Sequence, residues 1–256
     1  MSNSVAACET GRMKVVAVIP ARLASTRLSR KMLREIAGEA LLARVYQGVR
    51  RCAALDEVVV ATDSDEILDF CRQRGFAARM TSQAHRSGTE RVHEISNAIP
   101  ADVYLNVQGD EPLTRPEHVE SLLEAMRGPA VEVGTLKTAA AEMDVNNPSA
   151  VKVVTDATGR ALYFSRAAIP FDRDAAQPRY YKHLGFYGYR KQALDKFVRW
   201  PESSLERTER LEQLRFLENG VPIFVKETPF DTVGVDTEED VRRVEQLLSA
   251  AKHSGV

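Results

Sequence analysis

KVVAVIP (14–20), followed directly by ARLASTRLSRK (21–31), decides the fold. A short, continuous apolar run rich in valine reads as a strand buried on both faces, as in parallel sheets. The same signature returns at EVVVA (57–61) and DVYLNV (102–107), and Phe76 to Met80 suits a further strand. Helical periodicity fills the intervals. Leu41 to Cys52 repeats Leu42, Val45, Tyr46 and Val49. Asp65 to Arg74 follows a capping Thr62-Asp63-Ser64 and stops at Gly75. Gly88 to Asn97 is helical in spacing, and Pro116 to Met126 carries proline at its first turn. The first half therefore reads β-α-β-α-β-α-β-α. That alternation predicts an α/β fold, a parallel sheet with helices on both faces.

The second half changes character. Val133 to Ala139, Ala150 to Thr155 and Arg160 to Phe164 are closely spaced strand-like runs. Asp156-Ala-Thr-Gly159 makes a hairpin turn between the last two. His183 to Arg190 is another strand; Lys191 to Arg199 and Ser204 to Glu218 are helical. Val221 to Val225 returns to strand, and Thr237 to Ala251 is a final capped helix. The run Asp172 to Pro178 is the candidate mobile loop.

Composition narrows the function classes. The 256 residues carry 35 Lys+Arg against 36 Asp+Glu, a net charge of −1. That balance removes the electrostatic case for a nucleic-acid or anionic-membrane binder. No apolar stretch approaches the ~20 residues of a membrane span. Residues 1–13 read as a flexible tail without signal-peptide features, and 14–252 as one domain. Cys8, Cys52 and Cys71 form no metal-ligand or CxxC pattern and read as reduced thiols of a cytoplasmic protein.

In a parallel α/β sheet, ligands bind beyond the carboxyl ends of the strands. After the first strand, Arg22, Arg27, Arg30 and Lys31 stand close together beside Ser25 and Thr26. A long cationic loop without glycine suits a polyphosphate, whose oxygens guanidinium forks grip in pairs. After the fourth strand, Gln108-Gly109-Asp110-Glu111-Pro112 sets two carboxylates beside a glycine that lets a ligand approach. Such a pair suits Mg²⁺, which takes one or two protein carboxylates and completes its shell with phosphate and water. Asp236 reads either as the cap of the last helix, in a capping box with Glu239, or as a second carboxylate for that ion. HRSGTER (85–91) offers helix-start amides to a base or phosphate. Tyr180 to Arg190 reads as a buried aromatic face, and Leu205 to Arg215 as an amphipathic helix with solvated charges.

These pieces, in this order, resemble the 3-deoxy-manno-octulosonate (Kdo) cytidylyltransferases, the CMP-Kdo synthetases of Gram-negative lipopolysaccharide synthesis. The matching text is IPARLASTRL (19–28), HRSGTER (85–91), NVQGDEP (106–112), NPSAVKVV (147–154), ALYFSRAAIP (161–170), KHLGFYGYR (182–190), LEQLR (211–215) and GVDTEED (234–240). The resemblance runs from about Val15 to Leu248.

It implies a Rossmann-like nucleotidyltransferase fold: a mainly parallel central sheet flanked by helices, with a smaller α+β dimerisation and substrate subregion near 155–215. It implies a homodimer that joins CTP to the sugar acid with loss of pyrophosphate, with Mg²⁺ as cofactor. Carried onto matching positions, Arg22, Arg27 and Lys31 would hold the CTP phosphates, and Ser87, Gly88 and Arg91 would sit near the cytidine. Asp110 and Asp236 would hold Mg²⁺. Gln108, Arg166, His183, Tyr187, Glu212 and Gln213 would line the sugar-acid pocket, with Arg166, alone or with His183, meeting the carboxylate. Arg22, Lys31, Asp110 and Asp236 are then the catalytic candidates, and no general base stands out. One departure matters: the family follows its STRL with Pro-Gly-Lys-Pro, whereas this chain has Ser29-Arg30-Lys31-Met32. That departure keeps two other readings open, transfer to a related acid (8-amino-Kdo or sialic-type) and a non-catalytic nucleotide-binding paralogue.

Overall fold

The computed structural model describes residues 12–23 and 28–253. The expected tail, apart from its last two residues, and Cys8, Ser25, Thr26 and Arg27 lie outside the described residues.

The four apolar runs become β1 (Val15–Ala21), β4 (Glu57–Thr62), β5 (Ala78–Met80) and β6 (Val103–Asn106). They pair in parallel, β6–β1–β4–β5. The helices between them are α1 (Leu41–Arg50), α2 (Asp65–Gln73) and α3 (Gly88–Ala98), with α4 (Pro116–Ala125) after β6. A small hairpin, β2 (Glu35–Ile36) and β3 (Glu39–Ala40), precedes α1 and has no apolar signature in the sequence.

Alternation along β1 explains the two faces. Ala17 and Ile19 pack with Leu42, Val45, Ile67, Val119 and Leu122 of α1, α2 and α4. Val16 and Val18 pack with Val92 and Ile95 of α3 and with Leu194 and Phe197 of α6 (Lys191–Arg199). Both sets are fully buried, which is why the run shows no polar alternation.

The second half extends the same sheet. β7 (Val133–Ala139), β8 (Lys152–Thr155), β9 (Ala161–Ser165), β10 (Tyr181–Tyr189) and β11 (Ile223–Glu227) complete nine strands, with the main order β11-β7-β10-β6-β1-β4-β5. β10 runs antiparallel between β6 and β7. Its first residues therefore lie at the edge where the parallel strands end: Tyr181 faces Ala139, and Tyr187 faces Asn106. β8 and β9 form the expected hairpin, and Asp156 orders its turn by accepting from the amides of Thr158 and Arg160 at 2.8 and 3.0 Å.

Two helical expectations change. A four-residue helix, α5 (Glu142–Val145), precedes β8. The stretch 204–218 is α7 (Ser204–Glu209) and α8 (Leu214–Glu218), broken where Arg210 adopts φ 56°. Asp172 to Pro178 holds neither helix nor strand, and the Asp172 carboxylate accepts the amides of Ala176 and Gln177 at 2.8 and 3.0 Å. The last helix is α9 (Glu238–His253).

Candidate active site

Three chain segments meet at the carboxyl edge of β1 and β6. Lys31 opens a single 3-10 turn (Lys31–Leu33) behind the β1 loop, Asp110 follows β6, and Asp236 precedes α9. The Lys31 Nζ donates to Asp110 Oδ2 at 2.6 Å and to Asp236 Oδ1 at 2.9 Å, and its side chain is 10% exposed. Burial alone would lower the Lys31 pKa, but the two carboxylates hold it above its ordinary value. Two acids from remote parts of the chain are thus aimed at one point that receives positive charge. No cluster of three or more Asp, Glu, His or Cys able to ligate a metal occurs among the described residues. Two carboxylates alone are the donor set that Mg²⁺ accepts alongside phosphate oxygens, so these residues fit that ion.

Local structure explains the meeting. A Cβ on Gly109 would stand 2.9 Å from the Pro20 carbonyl and 3.1 Å from Met32 Sδ. Glycine is required here by the protein's own packing: it lets the turn carrying Lys31 settle against the loop carrying Asp110. The expected capping role of Asp236 is also corrected. Thr237 and Asp240 form the reciprocal pair at the start of α9, with Asp240 N to Thr237 Oγ1 at 3.2 Å and Thr237 N to Asp240 Oδ2 at 2.9 Å. The carboxylate of Asp236 goes to Lys31 instead.

Glu111, the second acid of GDEP, does not join this pair. It accepts from the Thr232 hydroxyl. Burial pushes its pKa up to about 7, against that hydrogen bond. The sequence missed this turn away from Asp110, because Thr232 is far off in the chain.

Beside this centre, Arg22 donates to the His85 carbonyl at 2.7 Å, tying the β1 loop to the approach of α3. Burial and the neighbouring Arg91 lower the Arg22 pKa. Ser87 caps α3, accepting from Glu90 N at 3.3 Å, and Gly88 is its first residue. Arg91 is fully buried; its guanidinium pairs with Asp63, which follows β4, and donates to Thr81 Oγ1 at 2.6 Å. Arg91 thus fastens α3 to the ends of β4 and β5, an anchoring role that no local motif announced.

The proposed acceptor residues gather on β10 and the 209–213 turn. The Glu212 carboxylate accepts from Thr89 Oγ1 at 2.8 Å, which joins this region to the start of α3, and burial raises its pKa. Gln213 is buried, and its Nε2 has no partner among the described residues. His183 hydrogen-bonds Thr135 Oγ1 at 3.0 Å and lies edge-on to Phe164; burial pulls its pKa down to about 3, so it is neutral. Tyr187 stacks on Tyr189 at 5.7 Å, and both are buried, as the aromatic-face reading expects. Gln108 lies against β10, its Cγ 3.3 Å from where a Cβ on Gly185 would stand. Arg166 is held by backbone: Nε donates to Glu209 O at 2.7 Å and Nη1 to Pro148 O at 2.9 Å. Glu209, unremarked in the sequence, returns two bonds, from Ser165 Oγ at 2.6 Å and Arg166 N at 2.9 Å.

At the departure from the family pattern, Arg30 takes φ 52°, the region glycine favours, and its carbonyl accepts from Leu33 N at 2.9 Å. A tight turn therefore persists without Pro-Gly, and Lys31 keeps its place.

Comparison with known proteins follows this geometry. The family model described as "Cytidylyltransferase" matches residues 16–227. A 3-deoxy-manno-octulosonate cytidylyltransferase of Koribacter versatilis is 64% identical over 94% of this chain and 92% of its own. Another, of Acidobacterium capsulatum, is 55% identical over 94% of this chain and 98% of its own. A solved CMP:2-keto-3-deoxy-manno-octonic acid synthetase complexed with CTP superposes with a TM-score of 0.89 at 42% identity, covering 93% of this chain and 99% of that one. The 4-diphosphocytidyl-2C-methyl-D-erythritol synthase of Anaerococcus prevotii shares the fold, with a TM-score of 0.62 at 17% identity over 93% and 96% of the chains.

Proposed function

The chain belongs to the 3-deoxy-manno-octulosonate cytidylyltransferases, and on that premise we propose that it joins the cytidylyl group of CTP to the anomeric hydroxyl of Kdo, releasing pyrophosphate. The observation that carries this reading is the convergence of Lys31, Asp110 and Asp236 at the edge of β1 and β6, with Arg22 alongside.

Phosphoryl-type transfers depend on positioning and charge neutralisation more than on covalent help. Lys31 and Arg22 supply positive charge where the triphosphate lies. Arg27 belongs to the same cationic loop. Asp110 and Asp236 would hold the Mg²⁺ that travels with the nucleotide. When bound, that ion supplies Lewis-acid stabilisation of the phosphate oxygens and a lowered pKa for an oxygen it contacts. Ser87 and Gly88 present the start of α3 to the cytidine, and Arg91 keeps that helix in place. On the acceptor side, Gln213 offers a buried donor with no partner among the described residues, as expected of a group kept for a ligand. Neutral His183, with Tyr187, Gln108 and Glu212, would meet the acceptor, and Arg166 and Glu209 hold the turn that carries Glu212 and Gln213. The hydroxyl of the acid, held there, attacks the α-phosphorus in line and gives its proton to solvent, while the bond to pyrophosphate breaks and the leaving group departs toward Arg22 and Lys31.

Three further parts of the reading rest on chemistry. The enzyme works as a homodimer through the 155–215 subregion, where Leu162 and Phe171 are 62% and 85% exposed. It acts in the cytoplasm; no helix among the described residues is long and apolar enough to cross a membrane. Its product feeds lipopolysaccharide assembly. The deciding experiment measures pyrophosphate release over a matrix of nucleotides and acids. Kdo with CTP is expected to dominate. Preference for 8-amino-Kdo or a sialic-type acid would move the specificity, and tight CTP binding with no product would replace the enzyme by a binding protein.

A further inference from the structure

Asp236 reaches the site by an unusual path. β11 is an edge strand, and β7 and β10 stand between it and β6 in the sheet order. Neighbouring strands lie ~4.8 Å apart, so the chain leaving β11 must cross about three spacings to meet Asp110. The run 228–237 does so with no strand or helix of its own. Without a ladder, its course is set by individual ties. These follow in order across the sheet edge. Thr228 N donates to Lys137 O of β7 at 2.9 Å. His118 of α4 bonds the Phe230 carbonyl at 3.1 Å. Lys182 of β10 donates to Asp231 Oδ1 at 2.9 Å and to Thr232 O at 3.0 Å. Thr232 Oγ1 then donates to Glu111, and Val235 N to Asp110 O at 2.9 Å.

The last two ties come from adjacent residues of the β6 loop. One uses the backbone of Asp110, the other the side chain of Glu111. Glu111 also lies close against β10: its Oε1 is 3.0 Å from where a Cβ on Gly185 would stand, at the bulge, so a side chain there would crowd the carboxyl that grips Thr232.

We propose that Glu111 is a positioning residue, which clamps the Asp236 segment to the β6 loop through the Thr232 hydroxyl and so sets the spacing of the two carboxylates that receive the metal–nucleotide complex. This rests on the reading of Asp110 and Asp236 as the Mg²⁺ pair. A side chain that only supported the fold would change stability; a clamp changes how much metal the site needs.

The test titrates CTP into the full-length protein by calorimetry across a series of Mg²⁺ concentrations, with no acceptor present, so that nothing turns over. Thr232→Val removes the hydroxyl at constant volume. The expected result is about a tenfold rise in the Mg²⁺ concentration that half-restores CTP affinity, the scale of losing one buried hydrogen bond. KM for the sugar acid should change little; the melting temperature should fall with the lost buried hydrogen bond, so the Mg²⁺ dependence and not stability is the deciding readout. Glu111→Leu should give the same shift, and Glu111→Gln, which keeps an acceptor oxygen and the volume, should restore most of the wild-type Mg²⁺ dependence. The double variant Glu111→Leu with Thr232→Val should be no worse than either alone, because both break one link. Should Thr232→Val not fold, Thr232→Ala carries the same readouts. An unchanged Mg²⁺ dependence in folded Thr232 variants overturns the clamp. Asp236→Asn separates the two ideas: if it too leaves the Mg²⁺ dependence unchanged, the metal reading itself fails, and if it alone abolishes it, only the clamp does.

Discussion

The two ends of the sheet's carboxyl edge are built on opposite principles. At the β1–β6 end, charged side chains pair with one another and the carboxylates stay partly open: buried Lys31 with Asp110 and Asp236, whose side chains are 28% and 42% exposed. At the β10 end, the polar groups are buried and mostly neutral: His183 against Thr135, Gln213 with its Nε2 unpartnered among the described residues, Tyr187 in an aromatic stack. A triphosphate brings charge and a mobile counter-ion, so its site can be assembled from charges that exchange partners on binding. A polyol acid must be read by shape and hydrogen bonds, which requires groups fixed in place before the ligand arrives. The difference predicts that variants at the first end act on turnover and metal, and variants at the second on acceptor affinity.

The largest effect is expected at the charged end. Asp110→Asn and Asp236→Asn each keep the side-chain volume and should fold normally. Each should lose about 10²-fold or more in pyrophosphate release, the scale of removing a transition-state stabiliser, with KM for the acid little changed. An Asp236→Asn enzyme with full turnover at limiting Mg²⁺ would break the comparison at its first term.

At the buried end, Arg166→Lys sharpens it. Lysine keeps a charge for a substrate carboxylate but cannot span the Glu209 and Pro148 carbonyls as the guanidinium does. If Arg166 chiefly holds the turn carrying Glu212 and Gln213, KM for the acid rises about tenfold, one to two hydrogen bonds' worth, and calorimetric CTP affinity stays put. Glu209→Ala, which touches the same turn from the other side, should match it. A fall in CTP affinity in either variant would show the two ends to be one.

How much of this was legible in the sequence follows from the same division. Buried strands such as β1 and β6 announce themselves because their neighbours on both faces are apolar, and the strand-end rule then points to Arg22, Lys31 and Asp110. Asp236 was legible only as an ambiguity: its sequence allows a cap, and the cap proves to be Thr237. The continuous helix expected over 204–218 fails at Arg210, because the apolar spacing of Leu205, Leu211 and Leu214 persists through a left-handed residue. The partnerships of Glu111 with Thr232, Arg91 with Asp63 and Arg166 with Glu209 were invisible, since each is made across the fold by residues with no local pattern.

His183 provides a pH test of the buried end. Its pKa falls from 6.5 unfolded to about 3 folded, because burial disfavours the charged ring. The folded state therefore stays neutral while the unfolded chain takes up a proton as pH drops below 6.5. This contribution to stability is whole above pH 6.5 and is lost progressively toward pH 3. Wild type should lose roughly 1 kcal/mol more than His183→Gln between pH 7.5 and 5.5, from urea midpoints at both pH values. Equal losses would mean that the ring titrates in the fold as it does in the unfolded chain, and a smaller loss in wild type would mean that it is protonated in the fold, so that the acceptor end carries charge after all.

The smallest effect tests whether the departure at Ser29-Arg30 belongs to the charged end at all. Arg30 holds φ 52° and pairs with Glu66, both side chains being well exposed. A left-handed residue with a Cβ costs ~1–2 kcal/mol, whereas glycine there costs ~0.5–1 kcal/mol through the unfolded chain. The exposed ion pair contributes little. Arg30→Gly should therefore raise stability by up to ~1 kcal/mol in urea unfolding while leaving kcat and the Mg²⁺ requirement where they were. Arg30 would then be a tolerated strain in the turn, with the phosphate grip residing in Lys31, one residue on. A drop in CTP affinity in Arg30→Gly would instead make the extra cation part of the grip, and would place the adaptation of this chain at the nucleotide end and not at the acceptor end.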